Sequence, residues 1–415
     1  MLTTEQVQIA ADKFTALTGG NIAPYLEACV HCGQCAEACH FYEATGDARY
    51  TPAYKLVPIT RAWKRSKSPL SWFGLGKTVK TEELEEWQDL IFDSCTMCGR
   101  CSAVCPMGID ISAIVAATRQ AFAAAGMGPE DFMQAAENVR TKGSPLGLTS
   151  NKLVDRLEWL EDENDMEFPL DKKGAEILLT VSSIEMMKYP DSIVAMGKLL
   201  DHAGVSWTFS TKGYEATNFG FLSGKMDLAK LGVTRIVEAA EELDVKTVVI
   251  PECGHAYGVM RWSGANILGR KLPFEVLHIT EFLADLKRAG KLKLKPLKGS
   301  ITYHDPCQIS RRGGAADAAR YLLDDFAEDF REMTPTANFN WCCGGGGGVQ
   351  AMASATDLRH KVFKIKMDQV EATGADTMVS SCANCRLTMD ESIAHWKWDH
   401  GLNSLVEVMA ENLIE

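Results

Sequence analysis

The order of apolar and polar positions divides the chain into two regimes. Up to residue 160, apolar residues recur at helical spacing, as in EELEEWQDLIF and ISAIVAATRQAFAAAG. That pattern predicts an all-α domain over residues 1–160. Residues 161–173, EDENDMEFPLDKK, are strongly polar and read as a linker. Beyond them, short apolar runs alternate with helical segments: EILLTVSS, SIVAMGKLLDHAG, VSWTFS, LAKLGVTRIVEAAEEL and KTVVIPE. This order predicts an α/β region with mainly parallel strands.

The α/β order then repeats. ITYHDPC answers ILLTVSS, AARYLLDDFA answers AMGKLLDHAG, and LRHKVFKIKMDQVEATGADTMVSSC answers VTRIVEAAEELDVKTVVIPEC. VLHITEFLADL and NSLVEVMAENL close the two units, which span residues 174–295 and 296–415. The expected fold class is therefore α followed by α/β, with a cleft between two related α/β units as the place for a site.

Composition changes this picture at one point. The 415 residues are ordinary for a globular protein except for fourteen cysteines. The formal net charge of -12 excludes nucleic-acid binding through the overall field. The N-terminus, MLTTEQVQIAADK, lacks a secretory pattern, and no apolar run reaches the length of a membrane span. A cytoplasmic location is expected, with the inner face of the cell membrane reached only through a partner. In a reducing compartment, grouped cysteines bind metal more often than they form disulfides.

Eight cysteines form two runs of C-x2-C-x2-C-x3-C: Cys29, Cys32, Cys35 and Cys39, then Cys95, Cys98, Cys101 and Cys105. Three thiolates of such a loop can wrap one cubane while the fourth reaches the other. The implied sets are Cys29, Cys32, Cys35 with Cys105, and Cys95, Cys98, Cys101 with Cys39. Zinc sites typically use paired C-x2-C knuckles, so two [4Fe–4S] clusters fit better. His31 and His40 are expected beside the clusters or at the surface. Between the runs lies SPLSWFGLG, residues 68–76, where Trp72 and Phe73 read as a loop folded over the clusters or as a docking patch.

Five further cysteines fall in the second α/β unit: Cys307, Cys342, Cys343, Cys382 and Cys385. Cys307 ends a predicted strand, and Cys382 follows another, so the groups can meet at one sheet edge. WCCGGGGGVQ lacks the Lys-Ser/Thr ending of a phosphate loop. In the first unit Cys307 aligns near Ser183 or Ile184, the CCG aligns with Asn218-Phe219-Gly220, and the C-x2-C becomes PECGHAY. Only Cys253 remains there. It reads as a packed thiol, as an extra ligand, or, with Glu252 and His255, as a group for proton delivery or substrate contact.

The spacing C-x34-C-C-G-x37-C-x2-C resembles the CCG domain of heterodisulfide reductases. Together with ACVHCGQC and CTMCGRC, the resemblance covers nearly the whole chain and is nearest to the D-type subunits and their DsrK-type relatives of sulfur metabolism. It implies that the five cysteines hold one noncubane [4Fe–4S] cluster, approached closely by Gly344, Gly345 and Gly346. It further implies a subunit that handles a disulfide, trisulfide or persulfide. The implied partners are other subunits of a redox complex, a membrane cytochrome b-type subunit among them, and a small sulfur-carrier protein. The alternative is an electron conduit for a flavin-linked glycolate, lactate or glycerol 3-phosphate dehydrogenase. No G-x-G-x-x-G stands between a strand and a helix, so electrons are expected from another protein.

Overall fold

A computed structural model describes residues 2–73, 79–324 and 326–414. The fold is a helical region followed by two parallel α/β regions. The chain divides into two compact units. The first comprises Met1–Gln134, Phe221–Met226 and Gly344–Lys366, and the second comprises Ala135–Gly220, Asp227–Cys343 and Met367–Glu415. No helix among the described residues is long and apolar enough to cross a membrane.

The first unit is built on the helices Thr4–Leu17, Val57–Lys67, Thr81–Phe92 and Ile111–Ala124. The last carries ten buried residues, Ile114, Val115 and Phe122 among them, so it runs through the middle of the unit. Of the insert at 68–76, Pro69–Phe73 form a short helical turn and Phe73 is exposed. The side chain of Trp72 and residues 74–76 lie outside the described residues.

The second unit holds two four-stranded sheets of the same topology. The first comprises β1 (Ile177–Leu179), β2 (Trp207–Thr208), β3 (Thr247–Ile250) and β4 (Glu275–His278), in the order β2-β1-β3-β4. The second comprises β5 (Leu297–His304), β6 (Ala327–Phe330), β7 (Thr377–Ser380) and β8 (Gly401–Ser404), in the order β6-β5-β7-β8. Every strand pair is parallel. Central strands covered on both faces need continuous apolar runs, which Ile177–Leu179 and Val248–Ile250 supply.

The repeat seen in the sequence becomes a two-fold-like arrangement within this unit. The helix Pro190–His202 packs along Leu405–Glu411, and Ile279–Arg288 packs along Ala316–Leu323. One continuous core joins the halves, from Leu179 and Ile193 to Leu322 and Met409. A buried polar latch crosses the same seam. Arg386 bonds Glu407 at 2.9 and 3.1 Å and donates to Ser192 Oγ at 2.9 Å.

Residues 161–173 are folded rather than loose. Their first residues complete the helix Ser150–Asn164, whose Leu153, Leu157 and Leu160 enter the second unit's core. Phe168 is buried with its ring 6.2 Å from Trp207 and 6.1 Å from Phe209. Burying such a ring contributes about 2 kcal/mol, enough to hold a polar segment in place.

Candidate iron–sulfur centres

The two cysteine loops of the first unit share one backbone shape. His31 and Gly33 are left-handed at φ 54 and 86, and Met97 and Gly99 repeat this at 56 and 74. A left-handed non-glycine residue costs about 1–2 kcal/mol, so the curl at His31 and Met97 is held against a local preference. A short helix follows each loop, Gln34–Glu37 and Arg100–Ala103.

Two cavities open inside these loops. One is lined by Cys39, Cys95, Cys98 and Cys101. The other is lined by Cys29, Cys32, Cys35 and Cys105. Burial pushes the Cys101 thiol well above its ordinary value, and the neighbouring thiols Cys98, Cys39 and Cys95 push it further. Four thiolates so placed repel one another unless a cationic centre joins them, which suits an iron–sulfur group.

Buried cations stand beside these thiols. Lys55 lines the first cavity, is 2% exposed and donates to Ser94 O. Its charge opposes the burial that raises the Cys39 thiol. Arg119 is fully buried and donates to the carbonyls of Ile91, Phe92, Cys95, Leu222 and Gly347. Burial lowers its pKa to about 10, so it stays charged at neutral pH. His40 lines the same cavity with a ring nitrogen within 4.8 Å of Cys98 Sγ. It is buried, and neither ring nitrogen has a hydrogen-bond partner among the described residues. His31 is exposed, its Nδ1 3.9 Å from Cys29 Sγ.

In the second unit the donors gather at the strand ends. From β5 the chain crosses outward to β6 and returns to β7 on the other side of β5, which makes the β5–β7 gap the switch point of this sheet. Cys307 lies three residues beyond β5, and Cys382 caps the helix Ala383–Trp396 just beyond β7. Ring and thiol donor atoms of His304, Cys343 and Cys385 lie within 4.8 Å of one another, all buried. Cys385 is hydrogen-bonded to both Cys343 and Cys382, which pushes its thiol up. The bond from Cys385, helped by Gly254 N–H, holds Cys382 below its ordinary value. Cys307 and Cys342 are buried as well. The donor set is thiol-rich, dry and mutually bonded, and it fits an iron–sulfur group.

Comparison with known proteins follows the same division. Residues 25–109 match the family model described as a 4Fe-4S dicluster domain, and residues 301–390 match the Cysteine-rich domain. The D-type subunit of the dihydromethanophenazine:CoB–CoM heterodisulfide reductase of Methanosarcina barkeri is 30% identical over 397 residues, 94% of either chain. The chain belongs to the family of heterodisulfide reductase D-type subunits. It is thus an iron–sulfur oxidoreductase subunit related to heterodisulfide reductase-type complexes. The Hdr-like menaquinol oxidoreductase iron–sulfur subunit 2 of Archaeoglobus fulgidus is 27% identical over 99% of this chain and 83% of its own. The EtfAB:quinone oxidoreductase of Syntrophomonas wolfei is 28% identical over 88% of this chain and 54% of its own.

The remaining candidates have definite places. Cys253 caps the helix Gly254–Gly258 as Cys382 caps its own, and is buried with Thr217 Oγ1 3.6 Å from its sulfur. Burial raises its thiol, and the charge of Cys382 raises it further. The carboxylate of Glu252 points elsewhere. It accepts from Ser404 Oγ at 2.7 Å and Val406 N at 3.3 Å, at the start of the helix Leu405–Glu411, and burial raises its pKa to about 8. His255 is half-buried on the helix after Cys253.

The glycine run curls within the first unit. Gly344, Gly347 and Gly348 are left-handed. The tightest are the last two. A Cβ on Gly347 would meet the backbone of Cys95 and Thr96 at 2.8–2.9 Å, and one on Gly348 would meet the Phe132 ring at 2.3 Å. Arg119, Lys55 and His304 are the residues that sequence reasoning passed over. Only His304 left a signal, its place in HDPC three residues before Cys307.

Proposed function

We propose that this chain is the electron-carrying subunit of a membrane-linked complex that interconverts a sulfur–sulfur bond and thiols. In this reading Cys29, Cys32, Cys35 and Cys105 hold one cubane, and Cys39, Cys95, Cys98 and Cys101 hold the other. Cys307, Cys342, Cys343, Cys382 and Cys385 hold a noncubane [4Fe–4S] cluster. When bound, such clusters supply one-electron redox centres. The carrying observation is the convergence of His304, Cys343 and Cys385 at the switch point of a parallel sheet, where ligands of open α/β folds bind.

The chain's own residues contribute shape and charge. Lys55 and Arg119 offset thiolate charge from within the fold. Burial of all five cysteines at the CCG site keeps water from it. Opening a disulfide consumes two electrons and two protons and yields two thiols, so the site needs a proton source. Among the candidates, Cys253 is the one whose thiol feels the charge of Cys382, and we take it as that source. The substrate is a disulfide, trisulfide or persulfide, presented by a small molecule or a small sulfur-carrier protein. Within the family we place the chain with the DsrK-type subunits, because PECGHAY and the missing first CCG set it apart. Electrons pass to or from a cytochrome b-type subunit at the inner face of the membrane, in line with the quinol-linked name of the Archaeoglobus relative.

A second reading draws on the similarity to the EtfAB:quinone oxidoreductase. There the chain conducts electrons for a flavoprotein and touches no sulfur substrate. An anaerobic redox titration followed by electron paramagnetic resonance, with and without added disulfides, separates the two. A paramagnetic state that depends on thiol or disulfide and is lost in Cys382→Ser supports sulfur chemistry. No such state, with turnover only beside a flavoprotein, supports the conduit.

A further inference from the structure

We infer that Thr217 and Glu215 form a proton relay that reloads Cys253 from a cavity on the first α/β half. The inference rests on the reading that Cys253 supplies protons at the CCG site, and it names the path behind that thiol.

The contacts run in one line. Cys253 is 3% exposed, so its thiol has no direct route to bulk water. Its sulfur stands 3.6 Å from Thr217 Oγ1. The Thr217 hydroxyl and Thr217 N both donate to the Glu215 carboxylate, the latter at 2.7 Å. A hydroxyl between a thiol and a carboxylate accepts one proton as it gives up another, so a proton crosses both contacts while the heavy atoms stay in place. Glu215 and Thr217 line a cavity together with the exposed Lys212 and the half-buried Arg235, so the far end of the line lies beside surface groups.

Backbone bonds fix the acid in place. Ala216 N donates to Val181 O at 3.1 Å and Val181 N donates to Tyr214 O at 2.8 Å, on either side of Glu215. The second oxygen of Glu215 accepts from Ser183 N at 2.9 Å. Burial raises its pKa from 4.5 to about 7, so both protonation states are populated near neutral pH, as a group that takes up and passes on protons requires. The other buried acids nearby are committed elsewhere. Glu185 accepts from Ser182 N, Ser182 Oγ and Glu252 N, and Glu252 accepts from Ser404 Oγ and Val406 N. Neither is among the residues lining the cavity.

The internal repeat marks the pair as particular to this half. With the CCG aligned to Asn218-Phe219-Gly220, Glu215 falls on Phe339 and Thr217 on Trp341. The half that keeps the five thiols has neither the acid nor the hydroxyl, and the half that keeps only Cys253 has both. In turnover the Cys253 S–H bond breaks and its proton goes to the product sulfur. The thiolate left behind takes the Thr217 hydroxyl proton, Thr217 takes one from the Glu215 carboxyl, and Glu215 reloads from water. Each of these steps moves a proton and no electron.

Hydrogen–deuterium exchange of the Cys253 S–H tests this, followed by its infrared stretching band in anaerobic full-length holoprotein diluted into deuterium oxide. With the other thirteen of the fourteen cysteines holding iron, Cys253 is the one thiol expected to give such a band, and loss of the band in Cys253→Ala assigns it. Thr217→Val and Glu215→Gln should each slow the exchange by about a hundredfold, the lower end of what a positioned proton donor contributes. Thr217→Ser, which restores the hydroxyl, should match wild type. A merely structural role gives the opposite sign, because loosened packing opens the site and speeds exchange. Exchange at the wild-type rate or faster in Thr217→Val or in Glu215→Gln overturns the relay. So does the absence of any band that Cys253→Ala removes, since Cys253 is then not a thiol. S–H bands that persist in Cys253→Ala show ligand cysteines without iron and overturn the cluster reading, while the relay stands or falls on the Cys253 band alone.

Discussion

Replacing Arg119 by Met should loosen the helical unit and its second cysteine loop. The side chain is fully buried, and its guanidinium holds five backbone carbonyls from three separate segments. Ile91, Phe92 and Cys95 belong to the entry into the second loop, Leu222 to the segment Phe221–Met226, and Gly347 to the glycine run. Met keeps most of the volume and none of the donors. The bonds to Cys95 O and Leu222 O, both 2.8 Å, and that to Gly347 O are the best formed. Charged hydrogen bonds contribute about 1.5–3 kcal/mol each. Three of them would therefore sum to at least about 4 kcal/mol, reduced by the relief of no longer burying a charge. A net loss of about 3 kcal/mol remains, and at roughly 2–4 °C per kcal/mol the melting temperature should fall by about 6–12 °C. The assay is thermal melting of the anaerobic holoprotein, with iron per chain counted on the same samples. Arg119→Lys should fall between, since one ammonium has three donors for five acceptors. A melting temperature within about 2 °C of wild type and unchanged iron would refute the claim that these bonds hold the loop.

Two further outcomes follow from the cavities and the buried acids. Cys39→Ser should alter the resonance of the cluster held by the second loop, and Cys105→Ser that of the first, because each lines the other loop's cavity. If Cys39→Ser disturbs only the first loop's cluster, assigned by Cys32→Ser, the crossed arrangement is wrong. Burial raises Glu185 and Glu215 from 4.5 to about 7. Between those values the folded state binds more protons than the unfolded chain, so this contribution is complete below pH 4.5 and is lost as pH rises through 7. For Glu215 alone the loss is on the order of 3 kcal/mol. Denaturant midpoints from pH 5 to 8 should decline, and Glu215→Gln, which mimics the protonated acid, should flatten the curve. A flat wild-type profile would show that these carboxylates ionise normally.

The parts legible in the sequence are those set by local spacing. A C-x2-C-x2-C loop needs only its own backbone to curl, and His31, Gly33, Met97 and Gly99 adopt the same left-handed pattern in both copies. Fully buried parallel strands announce themselves as apolar runs, and the helices between them by period. Arg119 was illegible for the opposite reason. In ISAIVAATRQAFAAAG a single arginine reads as a solvent-facing residue, and one of its acceptors lies 228 positions away. Lys55 sits in the loop-rich stretch between the cysteine motifs, where nothing local marks a buried cation. EDENDMEFPLDKK reads as a linker because its charges outnumber its apolar residues, yet Phe168 packs on the Trp207 and Phe209 rings, Met166 and Leu170 lie against the core, and Asp171 N bonds Phe209 O. Net polarity described the solvent face and missed the few residues that pack.

The two α/β halves present different solutions to one electrostatic problem. At the ends of parallel strands, backbone N–H groups of the following segments point into the crevice and favour negative charge. The second half places sulfur there, with Gly254 N–H donating to Cys382. The first half places carboxylates. Glu215 accepts from Ser183 N at 2.9 Å and Thr217 N at 2.7 Å, and Glu185 accepts from Ser182 N at 3.1 Å and Glu252 N at 3.0 Å. Ser183 stands where Cys307 stands in the other half, so the N–H at the ligand position is satisfied by an oxygen instead. Restoring one cysteine at Ser183 would not by itself rebuild a thiolate site, because Glu215 and Glu185 already take the backbone donors. The asymmetry leaves Cys253 as the one cysteine of the first half, capping its helix as Cys382 caps its own and raised by the charge of Cys382. A thiol there is positioned by the fold of both halves, since Glu252 O accepts from Ala383 N at 2.7 Å and so sets the distance between the two caps.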